Sequence, residues 1–175
     1  MIHEGTLQDR PHFMRLYFEF MKAHHERGSY FLPTIHNLNL AKAMFEKFAT
    51  GVEEGFTLFW TPQDSTEPVA FIMASDFQDS DWDVSLGKFA TLWATYVQLP
   101  YRNQGIAIKL FARAREIGLG WGVESVLTHV LAGNTPADYV SRAFGTRPAL
   151  IEHYVDLKGA MSSPESLESL IKETT

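Results

Sequence analysis

The sequence predicts a mixed α/β fold with one core, and three observations lead there. Short runs rich in aromatic and β-branched residues alternate with longer stretches whose apolar residues recur every three or four positions. Their order along the chain is βααβββαβαβ. At 175 residues, with 45% apolar and 21% charged side chains, there is material for one sizeable core but little room for two.

Residues 2–4 make a short first strand, and Thr6 is placed to cap a helix. Over residues 11–24, Phe13, Leu16, Tyr17, Phe20 and Met21 fall on one helical face. Gly28 and Pro33 then break the chain. A second helix over residues 39–50 carries Leu40, Ala43, Met44 and Phe48 on one face and stops at Gly51. Residues 56–60 and 69–74 are strands of a hairpin joined by the turn-rich TPQDSTEP. Residues 76–83 hold four aspartates and read as a surface loop.

Residues 88–99, with FATLWATYVQL, are expected to form a long, buried strand. A helix follows over residues 105–119, with Ile106, Leu110, Ala114 and Ile117 at helical spacing. Residues 123–131 form another strand. Asn134 and Pro136 open a further helix that Gly145 closes, and residues 151–157 form the last strand. Past Lys158 the chain turns polar, so residues 1–158 are expected to form the domain and 159–175 a tail or a short helix.

Composition narrows the function. The chain has no cysteine, which excludes disulfides, thiolate metal sites and a cysteine nucleophile. No apolar run approaches the ~20 residues of a membrane span. The start MIHEGTLQDR lacks the features of a signal peptide, so the cytoplasm is the expected location. A net charge of −6 without any basic run argues against a nucleic-acid surface. It mildly favours cationic partners such as amines, though solubility alone also accounts for it. His24, His25 and Glu26 suggest a metal cluster at first sight. Adjacent helix positions diverge, however, and no metal site is expected.

The most informative stretch is VQLPYRNQGIAIKL, residues 97–110: a strand end, a polar turn and a helix start. The first turn of a helix has backbone N–H groups without intrahelical partners, and the dipole adds positive charge there. Gly105 and Ala107 remove side-chain bulk from that end, and Arg102 stands beside it. Such a turn serves either as a plain tight turn or as an anion site. It is neither a dinucleotide fingerprint, lacking the first glycine, nor a P-loop, lacking Gly-Lys-Ser/Thr.

RNQGIAIKL after YVQLPY resembles the acyl-coenzyme A signature of the GCN5-related N-acetyltransferases, Arg/Gln-x-x-Gly-x-Gly/Ala after a strand ending in Val. Val97, Arg102, Gly105 and Ala107 fill its positions. Downstream, SVLTHVL is followed by Asn134, Ala137 and Gly145 at the family's spacings, and IHEGTLQDR and HYVDLK resemble its opening and closing strands. The resemblance spans residues 1–158. It implies a single GNAT-like domain whose mixed, mostly antiparallel sheet carries helices on both faces. Its central strands splay apart to hold the acyl-CoA.

The same resemblance implies an acetyl-CoA-dependent N-acetyltransferase acting on a primary amine, with acetyl-CoA as acyl donor and no metal. The backbone of Thr95, Tyr96 and Val97 would bind the pantetheine amides. The turn from Arg102 through Asn103, Gln104, Gly105, Ile106, Ala107 and Ile108 would hold the pyrophosphate, and Asn134 would anchor the pantetheine arm. The acceptor amine must be neutral to attack, so a base is needed. His129, five residues before Asn134, suits that task by its ordinary pKa of about 6.5, although a buried, backbone-bonded histidine is the competing reading; Asp76 is a second candidate.

Many family members carry a tyrosine seven residues after the asparagine as proton donor to the thiolate; here Ser141 stands there and Tyr139 lies two positions earlier. Ser141 acting through a water, Tyr139, or an unprotonated thiolate are all open. Tyr30, Phe31, Trp82 and Trp93 either line an acceptor pocket or pack in the core. The stretch GSYFLPTIHN is the expected acceptor-facing loop. Because the tyrosine is missing, a catalytically degenerate protein that binds CoA or a protein partner is the alternative. Dimers are frequent in the family, and residues 162–172 are available to contribute to one.

Overall fold

Strands that are apolar on both faces need cover from both sides, and here the helices provide it. A computed structural model describes residues 1–27, 34–52, 54–77, 89–130 and 134–145. The strands are β1 (Ile2–Glu4), β2 (Gly55–Trp60), β3 (Ala70–Phe77), β4 (Phe89–Val97) and β5 (Ser125–Thr128). They lie in one sheet in sequence order, antiparallel throughout except for the parallel pair β4–β5. The helices are α1 (Arg10–His25), α2 (Ile35–Thr50), α3 (Ile106–Gly120) and α4 (Thr135–Ala143). This open, mostly antiparallel sheet between helices is the fold the sequence implies.

Strand periodicity divides the core in two. Phe59, Phe71, Met73 and Ala94 face α1 and α2, where they meet Phe13, Leu16, Leu38 and Phe45. The Phe13 and Phe45 rings stack at 4.6 Å, and Phe71 meets Phe13 edge-on at 5.4 Å. On the other face Phe56, Leu58, Ala70, Ile72, Ala74 and Leu92 pack against Ile106 and Leu110 of α3. Each fully buried side chain of this size contributes roughly 1.5–3 kcal/mol. Phe144, which follows α4, stacks on Phe111 of α3 at 5.3 Å.

Several expectations need correction. Thr6 does not cap α1 directly. It opens a single 3₁₀ turn, Leu7–Asp9, and both its amide and its hydroxyl donate to the Asp9 carboxylate, at 2.9 and 2.8 Å. Helix α2 begins four residues before the expected start, because Thr34 caps it by accepting from the Asn37 amide at 3.2 Å. The buried stripe is therefore Leu38, Ala41, Phe45 and Phe48, while Leu40 is 52% exposed. Asp76 belongs to β3 rather than to a loop, since the ladder with β4 continues through Asp76–Ala90 and Phe77–Phe89.

Strand β4 contains a feature no residue pattern announced. Met73 pairs with Ala94 but Ala74 pairs with Leu92, so Trp93 is an extra residue, a β-bulge. The bulge exchanges faces: Leu92 points to the α3 core, and Ala94, two residues on, points to the α1–α2 core. Strand β5 is shorter than the expected 123–131, and its ladder with β4 ends at Leu92–Thr128. Beyond that pair β4 runs on to Val97 with no strand partner on this side among the described residues, so the sheet opens there. The expected loop over 78–83, the strand over 151–157 and the tail over 159–175 lie outside the described residues.

Candidate active site

The opening of the sheet beside β4 makes a fork, and the phase of β4 decides what lines it. The Gln98 amide donates to the Val69 carbonyl at 3.0 Å, toward β3. Backbone groups alternate in direction along a strand, so those of Tyr96 also point to β3 while those of Thr95 and Val97 turn toward the fork. Of the three residues expected to bind pantetheine through the backbone, two therefore present their groups and Tyr96 does not. The Val97 carbonyl already accepts from Arg102 Nε at 2.9 Å. The Thr95 hydroxyl is buried and has no hydrogen-bond partner among the described residues.

From Val97 the chain passes through one 3₁₀ turn, Leu99–Tyr101, and then two left-handed residues, Asn103 (φ 63°) and Gly105 (φ 73°). Gly105 is the N-cap of α3. The helix's own bonding begins with Lys109 N to Gly105 O at 3.1 Å, so the amides of Ile106, Ala107 and Ile108 precede it. A Cβ built on Gly105 would meet nothing within 4 Å. No acidic side chain occupies this first turn. A positive helix end bare of bulk suits a phosphate group.

Arg102 sits differently from the expectation of a simple neighbouring charge. Besides bonding Val97, its guanidinium lies over the Tyr96 ring, 5.7 Å from the centroid. Burial raises the Tyr96 pKa, with the Glu19 carboxylate adding to the effect and Arg102 opposing it. Gln98 Nε2 donates to both Glu19 oxygens at 3.0 Å. No motif in the sequence points to Glu19 or Gln98. They are 79 positions apart, and neither carries a local signal.

On the other arm, His129 follows the last β5 residue and is exposed. This excludes the buried-histidine reading, and the residue follows directly on the end of the β4–β5 ladder. Asn134 is the N-cap of α4, yet its side chain makes no cap hydrogen bond. The amide group is therefore not spent on its own helix. Within α4, Ser141 is 4% exposed whereas Tyr139 is 70% exposed, so the two face opposite ways.

Trp93 stands where the fork opens, 42% exposed, its indole N–H donating to Ser75 at 2.8 Å. Tyr30, Phe31, Trp82 and most of GSYFLPTIHN lie outside the described residues, as does the side chain of Asp76. Burial lowers the His24 pKa, with the Arg27 charge adding to it. Among the described residues no three His, Asp or Glu side chains gather as a metal site would require, and no helix is long and apolar enough to cross a membrane. An open cleft of ≈ 670 Å³ lined by Arg15, Glu67, Gln98 and Tyr101 lies on the β3 side of β4, away from the fork.

Among the described residues, the ladder of the parallel pair β4–β5 thus stops short of the end of β4, beside the N-terminus of α3. The chain belongs to the acetyltransferase (GNAT) family, whose model matches residues 13–145. No curated protein matches it by sequence. Among solved structures it resembles a mutant of the BH1408 protein of Bacillus halodurans, with TM-score 0.74 and 20% identity over 90% of this chain and 99% of that one. It also resembles AAC(6')-Iy in complex with the bisubstrate analogue CoA-S-monomethyl-acetylneamine, with TM-score 0.69 and 15% identity over 89% and 97%. A third is the aminoglycoside 6'-N-acetyltransferase AAC(6')-Ig of Acinetobacter haemolyticus, with TM-score 0.65 and 14% identity over 90% and 98%. At these identities the likeness is one of fold.

Proposed function

We propose that this chain is an N-acetyltransferase that moves the acetyl group of acetyl-CoA to a primary amine by direct attack on the thioester. The observation that carries the reading is the fork ending at the bare N-terminus of α3. In this reading the amides of Asn103 through Ile108 hold the pyrophosphate, with Arg102 close by. Backbone groups of Thr95 and Val97 pair with the pantetheine amides as a missing strand would, and the uncapped Asn134 side chain anchors the arm from the far side.

The neutral amine attacks the thioester carbonyl carbon, the C–N bond forms, and the C–S bond breaks as the CoA thiolate leaves. His129, directly after the end of the β4–β5 ladder, takes the ammonium proton directly or through a water. Buried Ser141 supplies the thiolate with a proton through a water; solvent-facing Tyr139 is the less suited donor. His129→Ala is expected to lower turnover 10²-fold or more while leaving acetyl-CoA affinity within about threefold. The acceptor is an amine, a class to which the aminoglycosides of two structural relatives belong. The site is expected to work in the cytoplasm as a monomer or homodimer.

A second reading, a degenerate protein that binds CoA or a protein partner without turnover, is favoured by one observation: the place of the family's tyrosine holds Ser141. Calorimetric titration with CoA and acetyl-CoA, followed by CoA release in the presence of amines, separates the two. Thiol detection is clean because the chain has no cysteine. Saturable binding with amine-dependent release supports the transferase, and binding without release supports the second reading. No binding at millimolar ligand overturns the CoA site itself.

A further inference from the structure

The end of β4 that leads into the turn before α3 is tied to α1 by a carboxylate. Glu19 projects from α1 and accepts from Gln98 Nε2 through both oxygens, each at 3.0 Å. Gln98 is also held through its backbone by the carbonyl of Val69, the residue before β3. Arg102 lies over the Tyr96 ring, 5.7 Å from its centroid, and returns to the Val97 carbonyl at 2.9 Å, while the Glu19 carboxylate adds to the upward shift of the Tyr96 pKa. Arg15, one turn before Glu19, reaches it at 3.6 Å and reaches the Pro68 carbonyl at 2.9 Å. The strand end, its 3₁₀ turn and the left-handed pair that aims the α3 amides thus share one anchor.

We infer that Glu19 is a positioning residue for the coenzyme-binding turn, acting through Gln98, Tyr96 and Arg102. The functional half of this inference rests on the CoA reading above. Electrostatics alone gives the opposite expectation. A carboxylate near an anion site repels the anion, so removing it would tighten CoA binding. Anchoring predicts loosening instead, because two charge-assisted bonds hold Gln98 and their loss frees the segment that presents the amides. The sign of the effect therefore separates the two causes.

The test compares Glu19→Ala, Glu19→Gln, Gln98→Glu and the double variant Glu19→Gln/Gln98→Glu with the parent chain. Kd for CoA is measured by calorimetry. Amide hydrogen exchange over residues 97–108 is measured without ligand. Anchoring predicts CoA affinity about tenfold weaker for Glu19→Ala and for Gln98→Glu, where two carboxylates would face each other. Glu19→Gln should stay within about threefold, and the double variant, with donor and acceptor exchanged, should recover most of the loss of Gln98→Glu.

Exchange over 97–108 should quicken in the two weakened variants and return in the double one. A purely structural role would lower Tm while leaving CoA affinity at 20 °C unchanged, and that result overturns the inference. So do tighter binding by Glu19→Ala, or exchange that none of the variants alters. If the parent chain binds no CoA but exchange still follows this pattern, the anchor stands and the CoA reading fails.

Discussion

Gly105 meets a demand from the backbone and, in the proposed function, a second one from the ligand. Its φ of 73° strains ordinary side chains, while the space around it is open within the protein. Gly105→Asn separates the two, since asparagine tolerates left-handed backbone and still adds bulk. It should cost about 1 kcal/mol or less in urea unfolding, yet weaken CoA tenfold or more in calorimetry. Unchanged affinity would remove the pyrophosphate from this turn.

His24 makes a second prediction at this scale. Its pKa lies below 6.5 because burial and then Arg27 disfavour the charged ring. The unfolded chain therefore takes up the proton first as pH falls. The stability that His24 contributes is complete above pH 6.5 and is lost as pH drops from there through its folded value. Replacing it with phenylalanine, which can keep the contact with Phe20 at 4.2 Å, should flatten the fall of Tm between pH 7 and pH 5. An equally steep fall in the variant would refute this.

Legibility followed locality. The helix starts at Gly105 and Asn134 are legible because a helix end is set by neighbours within a few residues. The Glu19–Gln98 tie could not, since it forms only when α1 crosses the end of β4. Direction was equally hidden: Tyr96 is in the motif, but its backbone turns to β3 for a reason that lies in Val69.

At the scale of elements, the helix ends follow ordinary capping chemistry. Thr34 before Ile35 is a signal the sequence contains, but Leu40, Ala43 and Met44 make a competing stripe that the tertiary context overrides. The meeting of α2 with β2 is tighter than any pattern reveals. A Cβ on Gly55 would collide with the ring of Phe48, the last buried residue of α2. Gly55→Ala is therefore expected to destabilise by about 1–3 kcal/mol in urea unfolding. Gly55→Ala combined with Phe48→Leu should cost less than the two single changes added together. Strict additivity would show that the contact does not exist in solution.

For the whole molecule, ligand and fold are linked. In the proposed function CoA bridges β4, β5 and α3 and so stabilises only the folded state, and at a hundred times its Kd it should add about 2.7 kcal/mol. In a chain of this size that raises Tm by about 5–11 °C. Thermal unfolding with and without CoA checks it, and no shift at saturating ligand would mean that CoA does not bind across the fork. The overall architecture was the most legible part, because it is encoded redundantly: β2 and β3 are apolar on both faces, and amphipathic helices flank them. Redundancy of that kind survives errors in individual boundaries.

The bulge at Trp93 makes β4 sensitive to length more than to identity. Four residues before it are keyed to one parity and four after it to the other, like two halves of a zip joined one tooth out of step. A conservative substitution on either side affects one core. Deleting or inserting one residue anywhere along the strand would rotate a half-strand, turning Tyr96 outward or Leu92 away from α3 and redirecting the carbonyls of Thr95 and Val97. Related chains should therefore vary freely in the composition of this strand while keeping its count.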